Sequence, residues 1–185
     1  FPVLLRSPGF HTGEYFLRID SPEQLAQAAQ SLPGRSLLLI EFLNVRGVDG
    51  KVRKYRVVIV DGRLFPLHLA VSTDWKVHYF SADMADNAAH RAEDEAFLRD
   101  MSGTIGSRAT AALGRIRDEL QLDYGGIDFA LDSRGRVIVF EANATMIVPA
   151  PEEEERWRYR LPPVQRIYDA VRAMVVRRAR ERLRA

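Results

Sequence analysis

Two apolar, strand-like runs near the end of the chain constrain the fold most. "YGGIDFAL" and "RVIVFEAN" are joined by the turn signal "DSRG", the pattern of an antiparallel hairpin. The first run carries Asp128 and the second Glu141. Asn143, two residues on, shares the face of Glu141, because side chains alternate along a strand. If the turn sets Leu131 opposite Arg136, Asp128 falls opposite Val139 and diagonal to Glu141. A slip of one residue would send Asp128 to the other face. The apolar residues before Glu141 predict a buried strand, where an unpartnered carboxylate is costly. Two acids leaning together repel unless a cation lies between them. A hard divalent ion such as Mg²⁺ suits carboxylate and amide oxygens. The chain has no cysteine and only 4 histidines, none near the hairpin, which argues against a soft-metal site. The alternative is a pair of strand-end acids satisfied by Arg134 and Arg136.

The rest of the chain predicts an α+β arrangement. "PVLLR" and "EYFLRI" read as two strands around a glycine-containing loop. "SPEQLAQAAQSLPG" reads as a helix with Ser21 as cap, Pro22 in its first turn and Gln24 closing a capping box. Leu25, Ala28, Ala29 and Leu32 would form its buried stripe. "SLLLIEFL" (36–43) predicts a buried strand. "YRVVIV" and "RLFPLHLAV" form a hairpin across Asp61-Gly62, with Pro66 marking an edge or a bulge. Residues 72–84 read as loop. Ala85, Ala89, Ala92 and Ala96 give helical spacing, with Asn87 as a candidate cap, and a second helix begins near Gly103. "PEEEER" is a solvated acidic start, and Val164, Ile167, Tyr168, Val171 and Val175 mark a last amphipathic helix.

Composition bounds the function classes. Of 185 residues, 46% are apolar and 28% charged, and the net charge is +2, which fits an ordinary globular chain. The lack of cysteine rules out a disulfide framework and a thiolate nucleophile and is compatible with the cytoplasm. No apolar run approaches the ~20 residues that span a bilayer, so a membrane partner is not expected. The opening "FPVLLRSPGF" reads as a strand already under way, which suggests a fragment or processed product. The arginine-rich end, from Arg172 onwards, could touch nucleic acid. A solvated or packed terminal helix explains it as well.

"YGGIDFALDSRGRVIVFEAN" resembles the metal-binding end of the ATP-grasp superfamily, in which an Asp on one strand and a Glu-x-Asn on the next hold the Mg²⁺ ions of ATP. "FPVLLRSPGFHTGEYFLRI" is similar to that family's strand–Gly loop–strand over the phosphates, "LLLIEFL" to the strand entering the adenine pocket, and "YRVVIVDGRL" to the segment whose arginine approaches phosphate. The likeness runs over residues 1–147 and points to ribosomal-protein-modification and glutathione-synthetase-like carboxylate–amine ligases. The chain departs from the pattern in two cationic positions: Arg6 stands where a lysine is usual, and Lys54 where an Asp commonly precedes the arginine by two. The family's N-terminal substrate lobe, as a remainder of a parent protein, would precede Phe1.

The resemblance implies a partial ATP-grasp core: a small lobe over 1–40 with the phosphate loop, a larger antiparallel lobe over 41–150 with the metal site, and a linker and helix over 151–185. It implies Mg²⁺ (or Mn²⁺) on Asp128, Glu141 and Asn143. Arg56 and Arg6 become candidate catalytic cations. Arg6, His11, Gly13, Glu41, Phe42, Leu43, Lys76 and His78 become candidate nucleotide contacts. Implied partners are ATP and an unidentified carboxylate with an amine-type (or thiol) acceptor joined through an acyl-phosphate. A homo-oligomer is left open. The rivals are an ATP- and Mg-binding module or degenerate subunit without ligase activity and, less favoured, a basic nucleic-acid-binding protein, which lacks a recognition motif here.

Overall fold

A computed structural model describes residues 1–10, 13–77 and 82–183. The chain divides into two compact units, Phe1–Asn44 and Val45–Ala185. No helix among the described residues is long and apolar enough to cross a membrane.

The first unit is a three-stranded antiparallel sheet with one helix. Strands β1 (Val3–Arg6), β2 (Phe16–Ile19) and β3 (Leu38–Glu41) lie in the order β2-β1-β3, and helix α1 spans Pro22–Ser31. Leu5, Ile19 and Leu32 form its small core, with Leu25 and Ala28 packed against them. Ala29 of the expected stripe is exposed. Gln24 does reach back across the helix start, but to the backbone N–H of Asp20, at 3.0 Å, and Ser21 makes no capping bond through its side chain. The expectation of a buried β3 fails: all four of its residues are exposed. It is an edge strand, so its hydrophobicity alone could not say whether anything covers it.

The second unit is built on a four-stranded antiparallel sheet of β4 (Val52–Val60), β5 (Arg63–Ser72), β6 (Tyr124–Leu131) and β7 (Val137–Asn143), in the order β5-β4-β6-β7. Asp61 and Gly62 both take positive φ, 50° and 72°, which is the two-residue turn that matches strand twist. Pro66 meets both expectations for it, on an edge strand and beside a register shift at Arg56/Val57.

One sheet face packs on α2 (Ala88–Arg99) and α3 (Met101–Leu120). Its core joins Tyr55, Val57, Ile59, Ile127 and Phe129 to Phe97, Ile105 and Leu113. The alanine spacing does not mark the buried face of α2. That face is His90, Asp94, Phe97 and Leu98, because polar residues there find partners inside. Asp94, with no exposed surface, accepts from the Leu69 N–H at 2.7 Å and the Tyr159 hydroxyl at 2.7 Å. Asn87 caps α2 as expected, accepting from the N–H groups of Ala89 and His90. The other face is covered at one end by α4 (Leu161–Arg182), through Val164 and Ile167 against Val58, Val60 and Leu67. The arginines at the end of α4 face acids: Arg177 pairs with Asp61 and Glu181, and Arg178 with Asp123.

Candidate functional site

The end of that second face beyond α4 carries the charges. Lys54 and Arg56 alternate on β4 and point to one side of the sheet. Arg56 sits directly across from Asp128 on β6, and Asp128 directly across from Glu141 on β7. Residues directly opposite in an antiparallel pair share a face, so Arg56, Asp128 and Glu141 form a row across three strands. Asn143 follows one pleat on, opposite Gly126.

The hairpin register differs from the expected one. Leu131 pairs with Val137, Phe129 with Val139 and Asp128 with Glu141, with a register shift between Asp128 and Phe129. The turn closes one residue later than "DSRG" suggests, with Gly135 N–H to Asp132 C=O and Asp132 N–H to Arg136 C=O. The extra residue in β7 then realigns the strand. Two departures together bring the acids face to face.

The second acid-bearing strand is also not buried. It is the sheet edge, and Val139, Phe140 and Glu141 are exposed. The acids therefore differ. Asp128 is 1% exposed, while Glu141 is open to solvent.

Asp128 is held by two cations. Arg56 grips it with two bonds, Nε to Oδ1 at 2.5 Å and Nη2 to Oδ2 at 2.7 Å. Lys54 Nζ lies 2.8 Å from Oδ2. Burial pushes the carboxyl up, but the hydrogen bonds from Arg56 and the charges of Lys54 and Arg56 outweigh it. The pKa lies below the ordinary 3.8. A forked guanidinium is the donor that matches a carboxylate edge. The alternative partners Arg134 and Arg136 are not the ones used: Arg136 pairs with Asp132.

Glu141 has no ion-pair partner among the described residues; its carboxylate accepts from Asn143 Nδ2, at 3.3 Å. Asn143 Oδ1 accepts from the N–H and hydroxyl of Thr145, both at 2.8 Å. No group of three His, Cys, Asp or Glu side chains gathers as a metal cluster among the described residues. The donor chemistry still fits a hard cation. Glu141 offers a carboxylate without an ion pair among the described residues, while Asn143 turns its Nδ2 to Glu141 and its Oδ1 to Thr145.

Of the remaining candidates, Arg6, Gly13, Glu41, Phe42 and Leu43 belong to the first unit and Lys76 to the second. Arg6 ends β1, donates to the Phe10 carbonyl at 2.8 Å and lies over the Phe16 ring. Gly13 takes φ 78°, a glycine conformation. Glu41 closes β3 opposite Val3, the Phe42 ring receives Arg18 at 4.6 Å, and Leu43 is exposed. Lys76 donates its N–H to Asp74 Oδ1 at 3.2 Å. His11 and His78 lie outside the described residues. Lys54 was legible only as a departure from a family pattern; its spacing of two from Arg56 was the signal that it shares the site's face.

No protein-family model matches the sequence, and no curated protein does. Solved structures match the fold. D-alanine-D-alanine ligase from Helicobacter pylori gives a TM-score of 0.53 at 13% identity, over 94% of this chain and 49% of that one. The ATP-grasp ligase PsnB, complexed with a precursor peptide and AMPPNP, gives 0.51 at 12% identity, over 94% and 45%. D-alanine-D-alanine ligase from Coxiella burnetii gives 0.50 at 12% identity, over 98% and 47%. The chain spans less than half the length of each.

Proposed function

The chain has the ATP-grasp fold in part, and from that premise we propose that it belongs to an ATP- and Mg²⁺-dependent carboxylate–amine ligase working through an acyl-phosphate. The observation that carries the proposal is the charged row on one sheet face: Lys54, Arg56, Asp128 and Glu141, with Asn143 a pleat beyond. A carboxylate between two cations beside an unpaired carboxylate suits a ligand that brings both anionic oxygens and a divalent ion. ATP with Mg²⁺ is such a ligand.

In this proposal Arg56 and Lys54 face the polyphosphate. Asp128 orients both cations, so their charge need not reorganise as the transferred phosphoryl group gains charge. The Asp128, Glu141 and Asn143 oxygens would hold Mg²⁺, which when bound supplies neutralisation of phosphate charge. A substrate carboxylate oxygen attacks the γ-phosphorus and ADP leaves. An amine then attacks the acyl carbon, phosphate leaves, and the amine loses a proton. No protein nucleophile takes part. Arg6, Gly13, Glu41, Phe42, Leu43 and Lys76, with His11 and His78, are proposed nucleotide contacts to be tested by single substitution. The neighbours, two D-alanine-D-alanine ligases and a ligase complexed with a precursor peptide, suggest an amino-acid or peptide carboxylate here, in the cytoplasm.

A second reading is an ATP-binding module without ligation. It is favoured by one feature, the commitment of both Asp128 oxygens to Arg56 and Lys54. Melting temperature with ATP, Mg²⁺ and both together tests binding: the pair should stabilise more than either alone. Absence of any Mg²⁺-dependent ATP effect would refute the nucleotide reading. Phosphate release on addition of amino acids or short peptides separates ligase from binder.

A further inference from the structure

We propose that Lys51 is an acyl-acceptor amine served by His90 as its general base, a modification site for acyl-phosphates from solution. His90 lies on α2, which packs on the sheet face opposite the charged row, and the inference does not rest on the nucleotide reading.

Lys51 Nζ lies 2.8 Å from His90 Nε2. The other ring nitrogen, Nδ1, is 2.9 Å from the Asp83 carbonyl oxygen. A carbonyl only accepts, so Nδ1 carries the proton and Nε2 presents its lone pair. The groups around Nε2 agree, since Lys51 and the Asn87 amide nitrogen, at 3.2 Å, are both donors. Amine, base and a third group that orients the base stand in the order of an activated nucleophile.

Both partners are held in place, which favours a reactive geometry. His90 is 2% exposed, and its backbone N–H is bound by Asn87. Lys51 sits just before β4 on a turn where its C=O accepts from the Gly47 N–H at 2.8 Å and its N–H donates to Asp49 Oδ1 at 3.2 Å. Part of Lys51 remains open to solvent, so an electrophile can reach it. The amine is not half of an ion pair. Asp49 gives both oxygens to Arg53, and Lys51 has no carboxylate partner among the described residues. A neutral imidazole holds an ammonium more weakly than a carboxylate would. What it adds is a base within reach of the amine's proton.

In the step, Lys51 attacks the acyl carbon of an acyl-phosphate as the neutral amine. The C–N bond forms and the acyl C–O bond breaks, its electron pair leaving with phosphate. The proton shed by nitrogen passes to His90 Nε2 and then to the departing phosphate, which leaves as hydrogen phosphate. An acyl-phosphate fits because its leaving group is anionic and takes up that proton. Arg46, whose Nη1 donates to the Gly50 and Thr73 carbonyls, adds positive charge to the same turn.

Acetyl phosphate, without ATP or metal, is the probe, and mass spectrometry of one digest reads Lys51 against Lys76 in the same chain. Lys76 is exposed and sets the rate of an unassisted amine. In the wild type Lys51 should acetylate at least tenfold faster than Lys76. His90→Gln, which keeps an acceptor and removes the base, should lower that ratio at least threefold, with melting temperature checking its folding. A wild-type ratio below ten, or a smaller drop in folded His90→Gln, would overturn the inference. Should His90→Gln not fold, the wild-type ratio decides alone.

Discussion

Replacing Asp128 by asparagine keeps the side-chain size and removes one negative charge from between two cations. In the native sheet Asp128 receives Arg56 Nε at 2.5 Å, Arg56 Nη2 at 2.7 Å and Lys54 Nζ at 2.8 Å. Two unit charges 4 Å apart at an effective dielectric near 20 interact by about 4 kcal/mol. Removing one partner of a buried pair costs about 3–5 kcal/mol, because the remaining charge is left uncompensated. Arg56 and Lys54 keep 24% and 15% of their side chains exposed, so water recovers part of the loss and the low end, about 3 kcal/mol, is expected. Urea unfolding followed by the fluorescence of Trp157, which sits in the core of this unit, measures it. The midpoint should fall with little change in slope. The pKa of Asp128 is depressed, so its contribution is present above the ordinary 3.8 and is lost as pH falls through the folded value. The gap between wild type and variant should therefore be full at pH 7 and shrink below pH 3.8. A loss under about 1 kcal/mol at pH 7, the size of an exposed surface pair, or a gap that widens in acid, would refute the reasoning.

Further outcomes follow from the same structure. Asp94 shows the opposite sign: burial raises its pKa against the charge of Arg160 and the bonds from Leu69 and Tyr159. Its contribution is present below the unfolded value and lost as pH rises through the folded one, so Asp94→Asn should lessen the loss of stability with rising pH, read from denaturation curves taken in that range. Gly126→Ala would bring a Cβ within 2.5 Å of Met146 Cε and 2.7 Å of its Cγ; overpacking of this kind costs about 1–3 kcal/mol, visible as a lower melting temperature. Asn87→Ala removes the two capping bonds of α2 and should cost about 1 kcal/mol, checked by urea unfolding.

Much of the fold was legible because its turns and periods were local. The Asp61-Gly62 hairpin, the bulge at Pro66 and the Asn87 cap each follow from a few neighbouring residues. What was not legible depended on distant partners. β3 and β7 look like buried strands from their apolar runs, yet both are edges, and no local pattern states what lies beside an edge. The alanines of α2 suggested its inner face, while its buried positions include His90 and Asp94, whose acceptability depends on Lys51, Leu69 and Tyr159 far along the chain. Asp128 and Glu141 were found as a pair through alternation, although the register that makes them face each other needs an irregular residue in β7. The partners of Asp128 were missed altogether. Lys54 and Arg56 are 72 or more residues away in sequence, and only the β4–β6 pairing brings them to it.

The central claim, that the charged row binds ATP with a divalent ion, is tested most directly by calorimetric titration of ATP into the wild type and Glu141→Gln, with and without Mg²⁺. Glutamine keeps the size and hydrogen-bonding capacity of Glu141 and removes the one carboxylate of the site that has no ion-pair partner among the described residues. Binding to the wild type should be Mg²⁺-dependent and binding to the variant at least tenfold weaker, with melting temperatures nearly equal because Glu141 is exposed. Equal ATP affinity in the two proteins, or wild-type binding indifferent to Mg²⁺, would contradict it.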